Sequence, residues 1–222
     1  MKSPALWGTV RLWAPWRKIH LALRRLQPTL LLESPLFYSL AQRLVSVDYR
    51  AIRQTIRKEL GSLTGCWVID LGCGTGNLAD EFRCARYVGV DVDLGYIRFA
   101  QRTTGRQFVT MDVTELALRD DIFDAALAVG LTHHLDDFSA ERFACEIRRV
   151  CRDGARVLLI DIVQPHRWNL LERARQRWAE RGRFVRPPEA YRALFEPYLI
   201  VKKTFYIRSG FLEYLVLVLR VG

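Results

Sequence analysis

The first acidic residue of this 222-residue chain is Glu33. Residues 1–32 hold Lys2, Arg11, Arg17, Lys18, Arg24 and Arg25 with no acid among them, so +6 of the formal net charge of +10 lies in that stretch. The remainder, with 28 basic and 24 acidic residues, is close to balance. This distribution excludes a protein that is basic all over and favours one local contact with an anionic surface. Long hydrophobic runs are also missing. None approaches the roughly 18 residues that read as a membrane span. Metal-ligand spacing is absent too: Cys66, Cys73, Cys84, Cys145 and Cys151 form no Cys-x-x-Cys pair, and four scattered histidines add no zinc pattern. No bound metal is expected. The odd number of cysteines reads as reduced thiols, hence a cytoplasmic protein. Residues 1–25 lack an apolar core and cleavage site for secretion. They are Arg-rich, acid-free and amphipathic like an organellar transit segment, but poor in serine. No repeat or low-complexity tract is visible. What remains is an ordinary globular balance, 50% hydrophobic and 26% charged, which fits one domain with a terminal extension.

Pro15 and Pro28 bracket a helix carrying Trp16, Ile19, Leu23 and Leu26 on one face and Arg17, Lys18, Arg24 and Arg25 on the other. Trp7 and Trp13 precede it. Such a basic amphipathic helix suits peripheral contact of residues 1–27 with an anionic membrane surface, or a face packed on the domain. Ser34-Pro35 marks another helix start. A helix over 48–60 places Ile52, Ile56 and Leu60 together and stops at Gly61. From residue 67 short apolar strands alternate with helices: strands at 67–71, 87–90, 107–111, 123–129 and 156–161; helices at 78–84, 94–102 and 140–150. Near-continuously apolar strands in this rhythm predict a parallel sheet covered on both faces. Helices at 169–181 and 188–195 follow, then strands at 199–206 and 211–220. The short Arg208-Ser-Gly210 link makes the final strand antiparallel to its neighbour.

The sharpest motif is Asp70-Leu-Gly-Cys-Gly-Thr-Gly-Asn77, a buried strand ending in an acid and then a Gly-x-Gly-x-Gly turn. The glycines permit tight turns and close approach of a ligand. The dinucleotide fingerprint fails because Asn77 stands where its third glycine belongs, and no Lys-Ser/Thr pair completes a phosphate loop. Asp91 ends the second strand and Asp112 the third, so three acids meet the ligand edge of an open parallel sheet. An acid at the second strand can bind a ribose diol, and one at the third can accept from an adenine amine. Each taken alone is also a common helix-cap or turn residue.

Together these motifs resemble the class I S-adenosylmethionine-dependent methyltransferases. Residues 70–76 match the family's first motif, Gly89-Val-Asp91 its second and Met111-Asp-Val113 its third. Residues 123–137, with Thr-His-His-Leu-Asp-Asp, resemble its fourth strand and following turn. Cys151 to Leu158 corresponds to the usual Lys-Pro-Gly-Gly turn, with Asp153 for Pro and Ala155 for Gly, and the turn is expected at Asp153-Gly154. The resemblance is tight over roughly residues 62–162.

It implies an α/β, Rossmann-like doubly wound seven-stranded sheet of order 3-2-1-4-5-7-6, last strand antiparallel, for a methyltransferase domain over 49–222; the basic amphipathic stretch before that domain reads as a helical N-terminal arm over 1–48. The resemblance also implies S-adenosylmethionine as cofactor. Gly72, Cys73, Gly74, Gly76 and Asn77 would line it; Asp70 would fix its amino group, directly or through water. Asp91 and Val92 would meet the ribose, Asp112 and the Val113 backbone the adenine, and Val129 and Gly130 the sulfonium. His133 aligns with a base of some small-molecule O-methyltransferases, and His134 is its neighbour; the alternative is a structural histidine. The motif of nucleobase and glutamine amine methyltransferases is absent after the fourth strand, as is a cysteine nucleophile; Cys145 and Cys151 are read as packing residues. Residues 163–196 interleave Arg167, Arg173, Arg175, Arg177, Arg181, Arg183, Arg186 and Arg192 with Trp168, Trp178, Phe184 and Tyr191. This segment is read as an acceptor lid or as a solvated helix face. The expected reaction is O- or C-methylation of a small-molecule or lipid-like acceptor, the alternatives being RNA methylation or a non-catalytic cofactor-binding protein.

Overall fold

The computed structural model describes residues 49–163, 184–209 and 212–222. The expected arm over 1–48, the helix at 169–181 and the centre of the last hairpin lie outside the described residues. In chain order the elements are α1 (Arg50–Leu60), β1 (Trp67–Leu71), β2 (Arg86–Asp91), α2 (Leu94–Thr104), β3 (Gln107–Thr110), β4 (Phe123–Val129), α3 (Asp137–Val150), β5 (Cys151–Ile162), α4 (Pro188–Phe195), β6 (Ile200–Ser209) and β7 (Leu212–Arg220).

The seven strands form one sheet of order β3-β2-β1-β4-β5-β7-β6, as expected. Pairing is parallel from β3 through β5, and β7 runs antiparallel to both β5 and β6. The continuous apolar strands are explained by burial on both faces: every residue of β1 is buried. Alternate side chains feed two cores. Ile69, Leu71, Ala126 and Leu159 pack with Phe143 and Ile147 of α3 and Tyr191 and Phe195 of α4. Val68, Leu127 and Ile160 pack with Ile52, Ile56 and Leu60 of α1 and Ile97 of α2. The helical spacing that predicts α1 thus reports a true core face.

Two local expectations need correction. The helix expected over 78–84 is only a 3-10 turn at Ala79–Phe82. The Arg106 guanidinium bonds the Phe82 carbonyl, and Arg53 Nη2 bonds the Asn77 carbonyl at 2.6 Å, so side chains satisfy acceptors that a longer helix would satisfy itself. The turn expected at Asp153-Gly154 is absorbed into β5, which begins at Cys151; Gly154 holds φ +76 there and its N–H bonds the Val221 carbonyl at 2.9 Å. The cysteines also divide: Cys151 is buried, while Cys145 is exposed and is no packing residue.

Gly89 on β2 allows the closest packing near the ligand edge. A Cβ built there would lie 2.5 Å from Phe108 Cδ1 and 3.0 Å from Cys73 Sγ. Gly89→Ala is therefore expected to destabilise the fold by about 1–3 kcal/mol through overpacking. The drop will appear as a lower urea midpoint at unchanged slope.

Candidate functional site

The site begins where β1 ends. Gly72, Gly74 and Gly76 take φ of +73, +54 and +76, a left-handed course that L side chains rarely adopt. The Gly72 and Cys73 N–H groups both donate to the Val90 carbonyl, at 2.8 and 3.0 Å, which pins the loop across the end of β2. Asp91 completes the tie: its Oδ2 accepts from Gly74 N at 2.8 Å and its Oδ1 from Asp93 N at 2.9 Å. Burial pushes the Asp91 carboxyl up, and these backbone N–H groups oppose that rise. Asp93 caps α2 by accepting from Gly95 N and Tyr96 N.

The predicted residues divide by what they face. Gly74 has nothing within 4 Å of its would-be Cβ, so the loop opens to the outside there, with Cys73 half-buried beside it. Gly76 packs inward, its would-be Cβ 2.8 Å from Phe108 Cζ. Asn77 is half-buried, and its carbonyl is held by Arg53. Val92 stands 63% exposed beside Asp91. Asp112 is exposed and closes a local turn, accepting from Thr114 N at 2.9 Å and Thr114 Oγ1 at 2.7 Å, while the Val113 side chain is buried in the core. Val129 and Gly130, at the end of β4, are half-buried. Burial pushes the Cys73 thiol far up, so it stays a neutral thiol rather than a nucleophile.

Asp70 is deeper than its position in the motif suggests. It is buried and accepts from the Tyr87 hydroxyl at 2.7 Å. Burial pushes its carboxyl up to about 7, against the Tyr87 hydrogen bond, which pulls it down.

A sulfonium cofactor fits this edge. The donor set is carboxylate rather than lysine or arginine, which suits a ligand with a cationic end and a ribose diol and does not suit a pyrophosphate. Thr75 Oγ1, inside the glycine loop, is buried with no hydrogen-bond partner among the described residues, an orphan that a polar ligand would satisfy.

The turn after β4 holds the other half of the site. Gly130 N donates to the Ile160 carbonyl at 2.8 Å, and Thr132–His134 form a 3-10 turn. His133 is buried, and its Nδ1 lies 2.5 Å from Asp161 Oδ1 at the end of β5. Asp161 Oδ2 accepts from Thr132 N at 2.6 Å and His133 N at 3.2 Å. A carboxylate at that distance accepts from an Nδ1–H and fixes the orientation of the ring. The ring is turned toward the sheet edge, with Cε1 3.8 Å from the would-be Cβ of Gly130. His134 is exposed, its ring centroid 4.0 Å from that of His133.

Asp161 was not among the predicted residues, although a lone acid in the apolar run from Val157 to Val163 signals it. Arg186 was expected in an acceptor lid, and the structure corrects this. It is buried, donating from Nη1 to the Thr132 carbonyl at 3.1 Å, from Nη2 to the Leu135 carbonyl at 2.7 Å, and from Nε and Nη2 to Asp137 Oδ1. It clamps the histidine turn rather than waiting for a ligand. Residues 184–196 of the expected lid are part of the body, with Tyr191 and Phe195 in the core. The arginines between 164 and 183 lie outside the described residues. Among the described residues no cluster of His, Cys, Asp and Glu could hold a metal ion.

Comparison with known proteins agrees with this geometry. Residues 69–159 match the family described as the methyltransferase domain. Over 101 residues the chain is 37% identical to the fatty-acid O-methyltransferase of Mycolicibacterium smegmatis, covering 42% of this chain and 36% of that one. Over 142 residues it is 32% identical to the demethylmenaquinone methyltransferase of Thermobifida fusca, covering 58% and 59%. It spans less than two thirds of the length of either relative. Among solved structures, it is similar in fold to a protein from Pyrococcus horikoshii OT3, with TM-score 0.66, 19% identity and coverage of 90% and 99%. It is also similar to geranyl diphosphate C-methyltransferase from Streptomyces coelicolor A3(2) in complex with Mg2+, geranyl diphosphate and S-adenosyl-L-homocysteine, with TM-score 0.64, 14% identity and 78% of each chain covered. The sheet order and the glycine loop define a class I, Rossmann-like methyltransferase fold. Residues 69–159 are an S-adenosylmethionine-dependent methyltransferase domain.

Asp91→Ala removes the carboxylate that ties the loop and that the resemblance assigns to the ribose. Calorimetric titration with S-adenosylmethionine is expected to show binding weakened by about 10- to 100-fold, the worth of hydrogen bonds to a charged group. Unchanged affinity would remove Asp91 from the site.

Proposed function

We propose that the protein methylates a hydroxyl of a small apolar or lipid-like acceptor, with His133 as general base and Asp161 as the residue that positions it. The buried His133–Asp161 pair carries this reading, because an imidazole held at Nδ1 by a carboxylate presents its other ring nitrogen for removal of a hydroxyl proton. When bound, S-adenosylmethionine supplies a methyl group already activated by its sulfonium. Gly72 to Asn77, Asp70, Asp91 with Val92, and Asp112 with the Val113 backbone would hold it, with Val129 and Gly130 facing its reacting end. His133 takes at Nε2 the proton that the acceptor hydroxyl gives up as its oxygen gains the methyl group. The Asp161 carboxylate stabilises the imidazolium that results. Arg186 holds the turn so that the base does not drift.

The acceptor class is supported by the surroundings. Val92, Leu94, Phe138 and Phe184 are large apolar residues exposed at or beside the strand ends that carry the site. Phe184 N donates to the His133 carbonyl at 3.0 Å, which sets that side chain next to the base. The same edge bears Asp91, Asp112, Asp136 and Asp137, which favours an apolar acceptor over RNA. Similarity to a fatty-acid O-methyltransferase and a demethylmenaquinone methyltransferase points the same way.

Tritiated methyl transfer to a panel of long-chain and aromatic hydroxyl compounds, with RNA as comparison, tests the class; labelling of RNA alone would overturn it. With an acceptor in hand, His133→Ala is expected to lower kcat by about 10²- to 10⁴-fold. Asp161→Asn should lower kcat as well, and neither variant should change the Kd for S-adenosylmethionine by more than about twofold. A matching loss of cofactor affinity would mean that the pair is structural.

We also propose that residues 1–27 bring the domain to an anionic membrane surface. Co-sedimentation with anionic vesicles is expected for the full chain and lost on deletion of residues 2–27.

A further inference from the structure

The Asp70–Tyr87 pair has no part in the reading above beyond the carboxyl itself. Tyr87 lies on β2 in register with Val68, and Gly89 with Asp70, so the phenol and the carboxyl share one face of the sheet. The phenol cannot swing away. Its ring stacks on Phe82 at 5.5 Å, meets Phe108 edge-on at 5.6 Å, and lies under the Arg106 guanidinium at 5.6 Å. A rigid donor is thus aimed at the first carboxyl of the cofactor site, and both groups are cut off from water.

Resting on the cofactor assignment, we infer that Tyr87 is a positioning residue for Asp70, and that binding of the cationic cofactor drives a proton off the Asp70 carboxyl into solvent. Among the described residues the buried carboxyl is without a cationic partner. Tyr87 and Asp91 from β2 and Cys73 from the loop face it, and none of them carries positive charge. Arg106 lies beyond the phenol ring, and Arg53 of α1 is turned to Glu81 and the Asn77 carbonyl. On the same face β4 offers Leu127 and Val129, and α1 offers Ile52 and Ile56. Without ligand, a proton is the cheapest way to neutralise Asp70, and its carboxyl stands at about 7. An arriving ammonium or sulfonium replaces that proton. The Tyr87 hydroxyl favours the ionised form, so it lowers the pH at which the exchange takes place.

The direction of the linkage follows. A carboxyl protonated in the free protein and ionised in the complex makes affinity rise with pH, until the free protein has lost the proton by itself. The cofactor's own α-amino group titrates near 7.7–8.0, so the informative window is about pH 5.5 to 7.0.

The experiment is calorimetric titration of the full-length protein with S-adenosylmethionine across that window, in pairs of buffers with different ionisation enthalpies. Wild type is expected to release a proton at pH 5.5 and a smaller fraction of one at pH 7.0, with affinity rising by at most about tenfold per pH unit. Tyr87→Phe keeps the aromatic stack and loses only the donor. It is expected to release more of a proton than wild type at pH 7.0 and to bind several-fold more weakly there. Asp70→Asn is expected to release none on this account and to show a flat profile, which separates Asp70 from Asp91. A purely structural role for Tyr87 would weaken binding at every pH with the proton count unchanged, and that result would overturn the inference. Binding by wild type without proton release, or release that persists in Asp70→Asn, would overturn it too. Absence of binding at every pH would overturn the cofactor assignment and this inference with it.

Discussion

Strands buried on both faces leave a charge only one sheltered place to stand, at their ends. An unpaired ion inside the sheet would lose several kcal/mol of solvation. Three acids stand there: Asp70 ends β1 but for one residue, Asp91 ends β2, and Asp161 ends β5 but for one. Each then meets the remaining desolvation in its own way. Asp91 accepts backbone N–H groups from the loop and from the start of α2. Asp161 accepts two N–H groups from the histidine turn and the imidazole besides. Asp70 has a phenol. The carboxylate edge and the order of the loops are therefore one fact, because the acids hold the loops in place by the same hydrogen bonds that make their own burial tolerable.

Much of this was legible before any coordinates. The alternation of apolar strands and helices reports a sheet covered on both sides, and the cores on its two faces bear that out. The glycine loop was readable because its information is local: positive φ at three glycines needs no partner far away. The histidine pair at residues 133 and 134 was legible as chemistry but not as geometry. Its partner Asp161 lies 28 residues on, and only the β4–β5 pairing brings the two strand ends together. Arg186 shows the opposite error. In the sequence it is one arginine among many in a basic, aromatic stretch, readable as part of an acceptor lid or of a solvated helix face. Its actual partners are the Asp137 carboxylate and backbone carbonyls of the turn, some fifty residues back in the chain. Residues 78–84 failed for a related reason, since the guanidinium of Arg106 reaches the Phe82 carbonyl from 24 positions away.

The two halves of the site are anchored separately, and this has a consequence for how they work. The glycine loop is tied to β2, through the Val90 carbonyl and Asp91. The histidine turn is tied to β5 and to the segment before α4, through Asp161 and Arg186. Between them run β1 and β4, packed too tightly to yield independently. The hydrogen bonds of the glycine loop and those of the histidine turn therefore share no partner, and the two meet through packing of Gly72 against Leu131. Such separation suits methyl transfer. The donor carbon is activated before the acceptor arrives, so the protein gains chiefly by holding two rigid surfaces at a fixed separation and keeping water out. The apolar side chains that border the histidine turn, Phe138 and Phe184, belong to elements fixed by the same clamp. Under the proposed reaction, exchange of those side chains would change which acceptor enters while the hydrogen bonds that fix His133 stay as they are.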